Sequence, residues 1–198
     1  METEMEIKEI EVLKGNYLTK DVIIVKKEEE IEYFTKEEMQ DKLLRLPPNE
    51  YFTLFQFLWR TGTRVTEAIS IVKKDLDFGN SEIKIRWLKN RKFETRIIPM
   101  HQSLRVMLYT FTAKLNAEDR VFNFTRQYVD QLCKKYNFDH AHKIRHSFAI
   151  NFLRQSDNPT AFVMLQHILG HSHIETTMVY LRAVPMEQKK ALEKINFD

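Results

Sequence analysis

The chain has 198 residues, 43% apolar and 30% charged, enough to bury one sizeable core and too few for two comfortable domains. Its most apolar run, Tyr51–Trp59, is broken by Thr53 and Gln56 and is far shorter than the roughly 20 apolar residues that cross a bilayer, so a membrane-spanning chain is excluded. The net charge of +3 conceals an asymmetry: residues 1–50 carry 8 Lys/Arg against 14 Asp/Glu, residues 51–198 carry 23 against 14, and the second part is where a polyanion would bind.

Residues 1–32 read as an acidic arm with one strand-like cluster, Val22–Val25, and no leader pattern, so secretion is not expected. Thr35 followed by Glu38 predicts a capped helix running to Leu46 before Pro47 and Pro48 stop it; a second helix spans Asn49–Arg60 and ends at Gly62. Ala68, Ile69 and Val72 suit a short helix over 66–72. The turn-rich stretch Asp75–Asn80 ends this helical run. Ile83, Ile85 and Trp87 alternate with charged residues as in a half-buried strand; Lys89–Glu94 reads as a polar turn and Thr95–Met100 as the returning strand. Helical spacing then resumes in Leu104–Phe111, Tyr128–Cys133, His142–Leu153 and Ala161–Leu169. The expected fold is mainly α with a small antiparallel β-sheet, an α+β domain over residues 33–184, followed by a tail helix within 185–198.

Four clusters carry chemistry. Thr61-Gly62-Thr63-Arg64-Val65-Thr66-Glu67 puts an arginine and a glutamate three apart between two helices, a spacing that by itself suits an ordinary ion pair. The hairpin Lys84–Arg96 holds six basic residues and one acid, Glu94. His142-Lys143-Ile144-Arg145-His146 opens a helix, and Leu169-Gly170-His171 is followed by Tyr180 nine residues after the histidine. In this order and spacing the clusters resemble the tyrosine recombinases, or phage-type integrases: T-G-x-R-x-x-E at Thr61–Glu67, H-x-x-R-H at His142–His146, and L-G-H with its tyrosine at Leu169–Tyr180, over roughly residues 33–184.

The resemblance implies a site-specific recombinase that breaks and rejoins double-stranded DNA without metal, ATP or other cofactor. Tyr180 would attack the scissile phosphate to give a 3′-phosphotyrosyl link. Arg64 and Arg145 would grip the non-bridging oxygens, a task that suits a planar fork which never loses its proton. His142 would accept the tyrosine proton, since a phenol with an ordinary pKa near ~10 does not ionise unaided at neutral pH. His171 would donate to a phosphate oxygen. The general acid in the family is a hairpin lysine, here Lys89, with Lys92 as the alternative; Arg91, which the commonest loop length would select, is too basic. Glu67 and His146 are expected to support these groups from behind. Thr63 departs from the large apolar residue usual before the arginine, and Asp139-His140 replaces a common Thr-Pro pair at the start of its helix.

Six of the seven histidines fall between 140 and 173, and His142/His146 and His167/His171 have a zinc-ligand spacing, but neither pair brackets a glutamate and Cys133 is the lone thiol, so no metal is expected. That single cysteine fits a reducing cytoplasm. Arg86, Arg91, Lys92 and Arg126 are candidates for DNA contact. Family members commonly carry a further N-terminal domain, whereas about 32 residues precede the catalytic fold here, as in a minimal recombinase or a catalytic fragment of a longer chain; DNA binding by these residues is expected to be weaker and more sensitive to salt. The stripe Ala191, Leu192 and Ile195 suits docking on a neighbouring subunit or packing in cis, and the expected assembly is a monomer or weak dimer that becomes a tetramer on paired DNA sites. Strand relaxation of the type IB topoisomerase kind, or DNA binding without cleavage, are the competing functions.

Overall fold

A computed structural model describes residues 5–14, 17–26, 31–89, 92–156 and 158–184. The backbone divides into two units, Met1–Glu30 and Ile31–Asp198. In the first, β1 (Met5–Lys14) and β2 (Tyr17–Lys26) form an antiparallel hairpin whose register pairs Ile7 with Ile24 and Leu13 with Leu18. The strand-like cluster Val22–Val25 therefore belongs to a ten-residue strand, and the acidic arm is a hairpin. Charged residues interrupt the alternation of β1, which is why its pattern is faint in the sequence.

The second unit is built from helices that begin and end where their sequence dictates. α1 (Lys36–Leu44) opens with a reciprocal cap: Thr35 Oγ1 accepts the Glu38 N–H at 3.2 Å and Glu38 Oε2 accepts the Thr35 N–H at 2.8 Å. α2 (Glu50–Thr61) is capped by the Asn49 side chain and closed by Gly62 at φ +62°. This helix is the centre of the core. Leu54, Phe55, Phe57 and Leu58 are all buried, Phe55 against Phe138 at 4.4 Å and Phe57 against Phe122 at 5.4 Å between ring centroids. α3 is short, Val65–Ala68.

The stretch expected to be only a turn contains a two-residue strand, β3 (Leu76–Asp77), which makes the sheet three-stranded with β4 (Glu82–Lys89) and β5 (Lys92–Pro99). The β4 and β5 strands also extend further than the sequence suggested. Ladder pairing continues through Leu88 opposite Phe93 to Lys89 opposite Lys92, because apolar residues recur beyond the point where the charged ones suggested a loop. Residues 90–91, including Arg91, lie outside the described residues.

α4 (Gln102–Phe111) and α6 (Ala141–Gln155) pack on α2, with α5 (Arg126–Lys135) against α3 and α6, and α7 (Ala161–Leu169) against α6 and β5. His140 Nδ1 accepts the Lys143 N–H at 3.0 Å, so His140 caps α6 at the position where the sequence lacks a Thr-Pro pair. The preceding segment is tied to the same helix by Phe34 N–H donating to Ser147 Oγ at 2.8 Å and Asn151 Nδ2 donating to Phe34 O at 2.9 Å. A smaller cluster of Ala149, Ile150, Leu165 and Leu169 encloses the Tyr180 ring. α8 (Glu175–Met178) and a 3-10 turn over Val179–Ala183 complete the described chain, and the expected tail helix within 185–198 lies outside it. Among the described residues no helix is long and apolar enough to cross a membrane.

Candidate active site

Two glycines place the polar groups. Gly62 and Gly170 end α2 and α7 in the left-handed conformation, at φ +62° and +67°. A Cβ on Gly62 would lie 2.3 Å from the Phe148 ring, and one on Gly170 would lie 2.7 Å from the Arg96 guanidinium, so neither position admits a larger residue without movement. Their helix ends expose carbonyls with no intrahelical donor, and a cation is the natural partner there. Arg145 on α6 fills that role for both: Nη1 donates to Gly62 O at 2.8 Å and Nη2 to Leu169 O at 2.9 Å. The arginine is 2% exposed. Burial and the nearby Arg64 lower its pKa to about 10, which leaves it charged at neutral pH.

Arg64 precedes α3, and the carboxylate three residues on reaches back to it. Glu67 Oε2 accepts the Arg64 N–H at 2.8 Å and Oε1 accepts from Arg64 Nη1 at 3.1 Å. Arg96 of β5 approaches Glu67 from the opposite side as a bidentate fork, Nη1 to Oε1 at 3.1 Å and Nη2 to Oε2 at 2.8 Å. Its Nε donates to Ile168 O at 2.9 Å and its guanidinium stands 5.0 Å from the centre of the Trp87 ring. Burial works against the Glu67 charge, but Arg96 and Arg64 overcome it and hold the carboxyl below its ordinary pKa. Arg96 thus ties the sheet, Arg64 and the Leu169-Gly170-His171 turn together. Sequence reading counted it only as part of a basic hairpin. The usable signal was its position two residues before the core residue Ile98, on the inward face of a strand, where an arginine requires a buried acid.

Tyr180 is 2% exposed, and its hydroxyl shares a hydrogen bond with His146 Nδ1 at 3.0 Å. Burial raises the phenol pKa, partly opposed by the charges of Arg145 and Arg64. Burial, with His142 next to it, lowers His146 to about 4, so the ring is neutral at neutral pH. The sequence assigned the phenol to His142. In the structure the i, i+4 step along α6 sets His142 one turn nearer the surface, its ring 4.4 Å from that of His146, and His146 makes the bond. Partial burial and Arg145 lower the His142 pKa as well. His142 lines a cleft of about 520 Å³ with Arg64, Arg126, Lys134 and Arg145.

His171 completes the cluster. Arginine can only donate, so the 2.9 Å contact from Arg145 Nη2 makes His171 Nε2 an acceptor and puts the ring proton on Nδ1, which donates to Thr177 Oγ1 at 2.8 Å. Burial and Arg145 lower its pKa to about 4. His171, expected to donate to a phosphate oxygen, here has its Nε2 occupied by Arg145.

Lys89 and Lys92 are opposite each other in backbone register, the last ladder pair of the β4–β5 hairpin. Arg86 pairs with the buried Asp75 and lines a second cleft, of about 740 Å³, which Arg64 also borders. Arg126 is exposed beside the first cleft, with Asp130 at 4.0 Å. His167 is exposed on α7. No group of three or more His, Cys, Asp or Glu is arranged to hold a metal ion among the described residues.

A three-stranded sheet beside a helical core, with the arginine, histidine and tyrosine motifs gathered at the ends of α2 and α7, has the architecture of a tyrosine recombinase catalytic domain. Residues 25–187 match the phage integrase family, and the chain belongs to that family. It is 32% identical over 136 residues to the tyrosine recombinase XerA of Saccharolobus solfataricus, covering 66% of this chain and 45% of that one. To the XerA of Thermococcus onnurineus it is 31% identical over 176 residues, covering 81% and 61%. The chain thus spans about half the length of the curated relatives it matches. Among solved structures, the catalytic domain of bacteriophage HP1 integrase superposes with a TM-score of 0.65 at 21% identity, covering 83% of this chain and 95% of that one. The Tn1549 transposon integrase in complex with circular intermediate DNA superposes with a TM-score of 0.67 at 21% identity, covering 86% and 67%.

Proposed function

We propose that this chain carries the catalytic domain of a site-specific DNA recombinase, with Tyr180 as the nucleophile. The observation that carries the reading is the buried Tyr180 hydroxyl, hydrogen-bonded within a cluster of His146, His142, Arg145 and His171 contributed by two separated motifs and bordered by Arg64 from a third. Tyr180 Oη attacks the scissile phosphorus, an O–P bond forms, and the P–O5′ bond breaks. The products are a 3′-phosphotyrosyl link and a free 5′ hydroxyl. A second 5′ hydroxyl reverses the step without an outside energy source, because one phosphodiester replaces another.

The phenol proton passes to a histidine on the open side of the ring, His142 or His146, and a lysine of the Lys89–Lys92 pair protonates the leaving oxygen. Arg64 and Arg145 neutralise the two non-bridging oxygens as charge builds up on them. Arg145 first exchanges its hold on His171 for the phosphate, while Arg64, whose side chain is 42% exposed, is open to DNA from the start. Arg86, Arg91, Lys92 and Arg126 would contribute DNA contacts. Paired sites would gather four chains, with the tail helix within 185–198 as the candidate link between them. A cytoplasmic or nucleoid location follows from the DNA substrate and fits a single buried thiol, Cys133, whose pKa burial pushes up to about 12.

The test is covalent capture. A nicked duplex recovered by adduct formation from a randomised pool is incubated with the chain, and a detergent-resistant protein–DNA band is expected. Tyr180→Phe should bind the duplex and form no band. A band that persists in Tyr180→Phe contradicts the assignment.

A further inference from the structure

We propose that Thr177 is a positioning residue whose hydroxyl switches the tautomer of His171 between the resting site and the DNA-bound site. The inference rests on the recombinase reading. Thr177 is fully buried on α8, three residues before Tyr180, and its Oγ1 lies 2.8 Å from His171 Nδ1. The other ring nitrogen faces Arg145 Nη2 at 2.9 Å.

These two contacts fix the resting tautomer. Arg145 has no acceptor to offer, so Nε2 must be unprotonated and Nδ1–H must donate to the threonine oxygen. The same ring cannot then donate from Nε2 to a phosphate oxygen. When a phosphate draws Arg145 away, Nε2 becomes a donor only once a proton arrives there, with Nδ1 either keeping its own proton or giving it up. Protonating the whole ring is the costly route, since burial and the guanidinium groups of Arg145, Arg64 and Arg96 disfavour an imidazolium.

A hydroxyl removes that cost because it both accepts and donates. Thr177 accepts from Nδ1–H at rest and, after a single rotation about its C–O bond, donates to the bare Nδ1 while Nε2–H donates to the phosphate. One proton leaves Nδ1 to water and one reaches Nε2 from water, so ring charge and composition are unchanged. A methyl group in place of the hydroxyl leaves a buried ring nitrogen without a partner in both states.

The experiment compares Thr177→Val and Thr177→Ser with the parent chain. Histidine nitrogen shifts are recorded on the ¹⁵N-labelled protein, with His171 assigned by its loss in His171→Gln, and adduct formation is timed with the captured nicked duplex. The expected result is an Nδ1–H tautomer in the free parent and an Nε2–H tautomer in Tyr180→Phe bound to the duplex. Adduct formation should be about tenfold or more slower in Thr177→Val and within about threefold of the parent in Thr177→Ser, at matched DNA affinity and folded fraction. An Nε2–H tautomer in the free protein, the same tautomer in both states, parental rates in Thr177→Val, or a serine variant as slow as the valine variant each overturn the proposal. A parent chain that forms no adduct overturns the recombinase reading and this proposal with it, whereas parental rates in Thr177→Val overturn the switch alone.

Discussion

Removing Arg96 should expose how far the site depends on a residue that is itself buried. Arg96→Met keeps the length of the side chain but deletes the fork that satisfies Glu67, a carboxylate 4% exposed, together with the bond to Ile168 O. Removing one partner of a buried ion pair typically costs about 3–5 kcal/mol, because the remaining charge is stranded. Arg64 still contacts Oε1 at 3.1 Å, which puts the expected loss near the lower end, about 3 kcal/mol. For a domain of this size that is roughly 6–12 °C in Tm. The double variant Arg96→Met/Glu67→Gln removes the stranded charge and should recover about 1–3 kcal/mol in urea unfolding, a non-additivity expected of two groups in one network. It should nevertheless cleave DNA poorly, since Arg64 has then lost the carboxylate that aims it. Equal destabilisation by single and double variants, or a loss under about 1 kcal/mol for Arg96→Met, would falsify the stranded-charge argument.

Gly62→Ala forces a β-carbon into a left-handed position and into the Phe148 ring, and both penalties together should cost about 2–4 kcal/mol of stability, measurable by urea unfolding; a loss below about 1 kcal/mol would show that the turn relaxes freely. Acid should also weaken the fold. His146 and His171 are lowered from 6.5 to about 4, so the unfolded chain takes up these protons first; their stabilising contribution is fully present above pH 6.5 and is lost as pH falls from there through 4. The Tm should therefore drop across that window in the parent chain and less steeply in His146→Gln; parallel profiles would contradict the assigned burial.

Much of this domain is written in local signals. The reciprocal cap at Thr35 and Glu38, the asparagine before α2, and glycines after α2 and α7 mark helix ends directly, because unpaired backbone groups there demand particular residues. The β1–β2 hairpin and the two-residue β3 were not legible. One has an alternation diluted by charges, and the other is defined by pairing with β4 and has no pattern of its own. The motif residues were readable from their order, but the division of labour between His142 and His146 was not. Spacing puts both on one face of α6, and only packing decides which of them meets a buried phenol. The roles of Arg96 and Thr177 were not legible for the same reason, since each acts through a partner far away in sequence or hidden in the fold.

The most direct measurement locates the covalent bond. After nuclease trimming of the captured adduct and tryptic digestion, the peptide Gln155–Arg182, which contains Tyr180 as its one tyrosine, should carry the mass of a 3′-linked nucleotide, and fragmentation should put that mass on Tyr180. Nucleotide mass on any other peptide, or a link to a side chain other than that phenol, contradicts the account.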